Sequence, residues 1–269
     1  MLHVEIGEIG VCLSIDDSAL ARAAADKYSG FLPTGNLKDQ MAAAVSIDRE
    51  AQFTLLPDIE ISCRDGAVEV TRGDFDGTID LRKRQARVTL NWPEYSIVGL
   101  DCFLRVCYSL LAVQNESLLL HCAAVVRDGR GLVFPGVSGS GKSTVAGLCR
   151  DAGCLVLSDE MALIRRAGSV WHVHGTPFHG DLGTASNGHA EIAGVFFLKQ
   201  AKQDDLHLLD IHSAVMNLSR SVVFFGENTE LMPGAFESFC SAAASIPCYE
   251  MRFRRDSGFL AMIDDAVNE

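Results

Sequence analysis

The 269-residue sequence has no basic stripe, no C-x-x-C pair and no apolar run of membrane-spanning length, and each absence removes a class of function. With 35 Asp and Glu against 23 Lys and Arg, the formal net charge is -12, and the acidic residues are scattered rather than clustered. Such a surface repels a phosphate backbone, so no nucleic-acid partner is expected. Arg105 and polar neighbours break the longest apolar candidate, which falls short of the roughly 18 residues that a span needs, so no membrane partner is expected either. Met1 to Asp17 carries Glu5, Glu8, Asp16 and Asp17 without a basic segment or a continuous apolar one, which predicts no export and a cytoplasmic chain. The nine cysteines are odd in number and read as buried free thiols of a reducing compartment. No internal repeat and no low-complexity segment interrupts the chain.

What is present divides into two textures. From Met1 to about residue 95, short apolar stretches such as Phe53 to Leu56, Val68 to Thr71 and Arg87 to Asn91 alternate with turn clusters, predicting a strand-rich region with one helix at Ser18 to Tyr28. Apolar residues then recur at helical spacing from Ser96 to Gln114, with Leu104, Tyr108 and Leu111 on the buried face and Val98, Asp101 and Arg105 on a mixed one. Residues 96–117 are read as a connecting helix and 118–269 as a separate module. In that module Leu118 to Leu120 and Ala123 to Val126 lead to an Asp128-Gly129 hairpin turn and the strand Gly131 to Phe134. A helix from Lys142 to Ala152 stops at Gly153, and the strand Cys154 to Leu157 follows. A hairpin around Gly168, a strand at Ile192 to Leu198, helices near Ser213 to Val222 and Pro233 to Ala244, a strand at Cys248 to Phe253 and a terminal helix from Gly258 complete an α/β reading.

Gly136-Val137-Ser138-Gly139-Ser140-Gly141-Lys142-Ser143 matches the phosphate-loop pattern G-x-x-x-x-G-K-[ST] in full. Glycines let backbone N–H groups turn toward phosphate oxygens without Cβ clashes, and the helix opening at Lys142 adds its positive end. Gly136, Ser138, Gly139, Ser140, Gly141, Lys142, Ser143 and Thr144 are therefore the expected nucleotide contacts, with Lys142 carrying charge to the β and γ phosphates and the Ser143 hydroxyl ligating Mg²⁺. Asp159 and Glu160 end the strand after the phosphate-loop helix, where an open α/β sheet places its ligand crevice. They are the expected acids of transfer from ATP, one for Mg²⁺ and one for the acceptor's proton. Taken alone, His121 reads more readily as a core residue than as a catalyst.

The blocks Leu120-His121-Cys122-Ala123-Ala124-Val125, Pro135 to Thr144 and Leu157-Ser158-Asp159-Glu160 together resemble the catalytic core of HPr kinase/phosphorylase. The resemblance implies a P-loop kinase module similar in fold to phosphoenolpyruvate carboxykinase, using ATP and Mg²⁺ to phosphorylate a serine of a protein. It casts Asp159 as general base with His121 beside it, and Glu160 with Ser143 as the Mg²⁺ pair. Thr144 stands where the family has glutamate, and Glu160 where it has a second aspartate. These departures, and an N-terminal half unlike the family's regulatory domain, resemble instead the divergent branch found beside ribosomal-peptide biosynthesis, which implies a peptide or small-protein acceptor recognised by residues 1–95. The segment Gly175 to Phe178 also resembles that branch. The family often forms homo-oligomers. A small-molecule kinase and a nucleotide-binding switch without phosphotransfer remain the alternatives.

Four histidines, His172, His174, His179 and His189, fall near a polar segment from Thr176 to Ala190. His172 and His174 share a strand face, but the spacing of the others fits no zinc set. The polar segment reads either as a lid over the acceptor or as a long surface loop, and Arg165, Arg166 and Lys199 read as solvated charges.

Overall fold

The computed structural model describes residues 1–33, 35, 39–51, 58–64, 66–137, 139–223 and 231–268. The strand expected at Phe53 to Leu56 and the loop residue Ser138 lie outside the described residues. The chain forms two compact units, the first from Met1–Gln114 with the described part of Phe224–Pro233, the second from Asn115–Val223 and Gly234–Glu269.

In the first unit the order is β1 (Leu2–Ile6), β2 (Ile9–Ile15), α1 (Ser18–Lys27), β3 (Asp39–Ile47), β4 (Glu60–Arg64), β5 (Ala67–Arg72), β6 (Phe75–Asp80), β7 (Gln85–Leu90) and α2 (Ser96–Gln114). These seven strands make one sheet in the order β1-β2-β3-β7-β6-β5-β4, with β3 parallel to both neighbours. Asp17 starts α1 by accepting from the amides of Ala19 and Leu20 at 2.9 and 2.8 Å. Burial alternates along β3, with Met41, Ala43 and Val45 inside, as a half-buried strand requires. Contrary to the expectation that Arg105 and polar neighbours break it below spanning length, the segment Pro93–Gln114 is long and apolar enough to cross a membrane by length and composition, but 78% of its apolar window is buried in the fold, as befits a core helix. Its expected mixed face is partly core too. Asp101 is only 7% exposed and is held by the Tyr28 hydroxyl at 3.2 Å, Lys27 at 3.3 Å and Arg105 at 3.1 Å.

The second unit runs β8 (Ser117–Arg127), β9 (Arg130–Pro135), α3 (Lys142–Asp151), β10 (Leu155–Ser158), β11 (Met161–Ala167), β12 (Val170–His174), β13 (His189–Gln200), β14 (Asp205–Leu208), α4 (Ile211–Ser221), α5 (Met232–Ser245, in this unit from Gly234), β15 (Cys248–Phe253) and α6 (Phe259–Asn268). The expected Asp-Gly turn joins β8 and β9, both residues having positive φ, 50° and 79°. Gly153, φ 86°, follows the C-cap of α3. The sheet order is β10-β8-β11-β12-β13-β15-β14, and β9 pairs with both β8 and β13. Strands β8, β11, β12, β13 and β9 thus close a ring of hydrogen-bonded neighbours. Gly131 makes the closure possible, since a Cβ there would come within 2.7 Å of Val173. α3 and α6 cover a core that includes Val125, Phe134, Phe196, Met251, Phe253 and Phe259, and a bidentate Arg127–Asp264 pair, both bonds 2.7 Å, ties β8 to α6.

Candidate functional site

The parallel strands β9, β13 and β15 end at Pro135, Gln200 and Phe253, so their carboxyl ends lie together, and the glycine loop leaves from the first of them. Gly139 and Gly141 adopt φ of 80° and 108°, a region that L side chains rarely enter. Gly141 has a second reason to be glycine, because a Cβ would lie 2.8 Å from the Phe253 ring. At Gly136 a Cβ would overlap the Ser140 hydroxyl. Among the described residues that buried hydroxyl has no hydrogen-bond partner, a polar atom inside the loop that an anion's oxygen would satisfy. The first helical bond runs from Val145 N to Gly141 O at 2.9 Å, which leaves the leading amides of α3 free to face an anion. Glycine cradle, unsatisfied hydroxyl and helix start fit a phosphate chain.

Lys142 is 6% exposed and donates to the Gly136 and Val137 carbonyls at 2.9 and 3.1 Å. Burial pushes its pKa down, while the charge of Glu160 pulls the other way. Ser143 is half-buried and Thr144 exposed at the head of α3. The loop is anchored at its start by Gly136 N, which donates to His121 O at 3.3 Å.

β11 pairs with β8 so that Met161 faces His121, and this register brings Glu160 beside the histidine. His121 Nε2 lies 3.4 Å from Glu160 Oε1, with side-chain exposures of 29% and 31%. The expected partner of His121 was Asp159. The Asp159 carboxylate is instead engaged by the loop between β12 and β13. It is 0% exposed, and its two oxygens accept from the amides of Gly180 at 2.9 Å and Leu182 at 2.8 Å. The loop between β12 and β13 is therefore fastened to the acid pair. A Cβ on Gly180 would stand 3.0 Å from Asp159 Oδ2 and 3.1 Å from Glu160 Oε2. Further stitches hold the same loop, including Thr176 Oγ1 to Met161 O at 2.6 Å, Ser186 N to Leu157 O at 3.0 Å and Gly175 N to Gly188 O at 3.0 Å.

Thus Lys142, Glu160 and His121 converge, Ser143 and Thr144 head the helix next to them, and Asp159 belongs to the loop anchor. The other charges stand apart from this group. Lys199 pairs with Glu250, and Arg166 reaches Gly168 O and Ser241. His174 and His189 stack with centroids 5.4 Å apart, and among the described residues no group of three or more His, Cys, Asp or Glu is arranged to hold a metal ion.

The sequence reading missed Gln200 and Phe253, which flank the loop. Gln200 Nε2 donates to Gly139 O at 3.3 Å. The carboxyl ends of strands parallel to β9 were the available signal.

No curated protein matches the chain. Among solved structures, the HPr(Ser) kinase/phosphatase from Coxiella burnetii is similar at 11% identity and a TM-score of 0.31, covering 56% of this chain and 93% of that one. The model of the family described as SynChlorMet cassette protein ScmC matches residues 91–268, well over half of the sequence, and the chain belongs to that family.

Proposed function

We propose that the second unit is an ATP-dependent phosphotransferase that moves the γ-phosphate to a serine hydroxyl of a peptide or small protein. The observation that carries this reading is the convergence of the phosphate-loop Lys142 with Glu160 and His121 at the carboxyl end of the sheet. The sequence blocks shared with HPr kinases support it. We assign acceptor recognition to the first unit.

In this reading the loop glycines and the α3 amides bind the β and γ phosphates, and Lys142 leaves the Gly136 and Val137 carbonyls to pair with them. Ser143 and Glu160 are the residues that would hold Mg²⁺, along with phosphate oxygens and water. The ion would neutralise charge developing on the phosphates. His121, oriented by Glu160, takes the proton of the attacking serine hydroxyl. The serine oxygen bonds to the γ phosphorus, the bond from that phosphorus to the β–γ bridging oxygen breaks, and ADP leaves with the electron pair. Asp159, which the resemblance implies as the base, serves in this reading as the anchor of the loop between β12 and β13.

The test is incubation of the full chain with γ-labelled ATP, Mg²⁺ and serine-containing peptides, with label followed by mass spectrometry. Phosphoserine that disappears in Lys142→Ala and drops roughly 10²-fold or more in His121→Ala is the expected result. Tight ATP binding with no transfer to any peptide would shift the reading to a nucleotide switch, which the fastening of the loop to Asp159 favours as second choice.

A further inference from the structure

Resting on the phosphotransferase reading, we propose that Arg255 is a second cation of the site, contacting the polyphosphate of the bound nucleotide at the rim of the loop near Gly139. Gln200 and Phe253 are register partners at the ends of β13 and β15, and both abut the loop. The Gln200 side-chain amide bridges two groups. Its nitrogen donates to Gly139 O at 3.3 Å and its oxygen accepts from Arg255 Nη2 at 3.4 Å. Arg255 is thereby brought to the rim of the loop by a neutral group, which orients the guanidinium without cancelling its charge.

Its neighbours are not so placed. Arg252 pairs with Glu250, and Arg254 pairs with Asp204 at 3.1 Å. Among the described residues Arg255 forms no ion pair, and Gln200 is its hydrogen-bond partner. An unneutralised arginine stands out beside an anion-binding loop in a chain of net charge -12. Most donors of its planar fork stay available for phosphate oxygens, which such a fork matches in bidentate fashion. It is also exposed, so the side chain can swing inward without disturbing the core. The ligand chemistry is a polyphosphate chain, whether carried by a nucleoside or free.

Calorimetric titration of the full chain with ATP, AMP and inorganic triphosphate tests this, using wild type, Arg255→Ala, Arg255→Lys, Gln200→Ala and Lys142→Ala. Hydrogen bonds to a charged group predict a loss of roughly 10- to 100-fold for ATP and triphosphate in Arg255→Ala. AMP affinity should stay unchanged, Arg255→Lys should recover part of the loss, and Gln200→Ala should lose less than Arg255→Ala. Equal losses for ATP and AMP would indicate a base or ribose contact and overturn the proposal. So would wild-type affinities in Arg255→Ala while Lys142→Ala binds weakly, an outcome that leaves the phosphotransferase reading standing. If wild type binds neither ATP nor triphosphate, that reading falls and this assignment falls with it.

Discussion

Replacing Asp159 by asparagine separates its two candidate roles. The carboxylate accepts one amide on each oxygen, Gly180 N at 2.9 Å and Leu182 N at 2.8 Å, and no solvent reaches it. Asparagine keeps the shape and one acceptor but turns an NH₂ toward the other amide, donor against donor. Losing one hydrogen bond to a charged acceptor costs about 1.5–3 kcal/mol. The loop between β12 and β13 is itself the element that can respond, because Asp181, Gly183 and Ala185 are already exposed. If the whole cost appears as easier local opening, the Gly180 and Leu182 amides should exchange with deuterium roughly 10- to 150-fold faster in Asp159→Asn. Amides in the paired strands, such as those of Leu119 and Val195, should keep their wild-type rates. Exchange would be read by NMR under conditions where opening is a pre-equilibrium, with nucleotide affinity measured in parallel and expected to be unchanged. Unaltered exchange at Gly180 and Leu182 would refute the anchoring role. If phosphotransfer also fell roughly 10²-fold under those circumstances, the general-base assignment implied by the family resemblance would be restored.

Gly175→Ala attacks the same loop at its root, where a Cβ would overlap the Ser186 carbonyl oxygen and stand 3.0 Å from Leu157 O. The variant should lose about 1–3 kcal/mol of stability and become sensitive to proteolysis between residues 176 and 188, and an unchanged unfolding midpoint would contradict the packing described. Cys154, 8% exposed, should have an alkylation profile at lower pH than an ordinary thiol, because the neighbouring Cys149 thiol and the Arg127 guanidinium at 3.9 Å draw its pKa below the usual thiol value. Its thiolate fraction rises as pH rises through that lowered pKa and then levels off. Cys107 and Cys122, pushed up by burial, should stay unlabelled in the folded chain. Arg127→Gln should move the Cys154 profile to higher pH, and a rate still climbing above pH 8 in wild type would contradict the assignment.

The phosphate loop was legible because its requirements are local: glycines where φ is positive, a lysine and a serine where the helix begins. The Asp128-Gly129 turn and the Gly153 helix stop were legible for the same reason. Strand β3 was not, since Gln40-Met41-Ala42-Ala43-Ala44 has little intrinsic strand preference and is held by parallel pairing to β2 and β7 from far along the chain. β14, only Asp205–Leu208, likewise exists because β15 supplies its partner. The two stretches expected before the hairpin are one strand, β8. It passes through His121 without a break because its partner changes there from β11 to β9 and β10.

The division of labour between the adjacent acids shows where local reading stops. Their position after the strand that follows the phosphate-loop helix was visible, but which partner each would take was not. Which of them faces the loop depends on register, and β8 pairing with β11 at His121 and Met161 sets it. That register is in turn held by the closed ring, in which β12 and β13 lie beside β9 and β11 and carry the loop between them back over Asp159. Met161, Ala162, Leu163 and Ile164 are all buried, so a one-residue slip of β11 would force repacking on both of its faces as well as shift the acid pair along β8. Packing on both faces of β11 therefore helps hold Glu160 at His121 while the loop between β12 and β13 holds Asp159, so the chemistry proposed for this site depends on buried core residues.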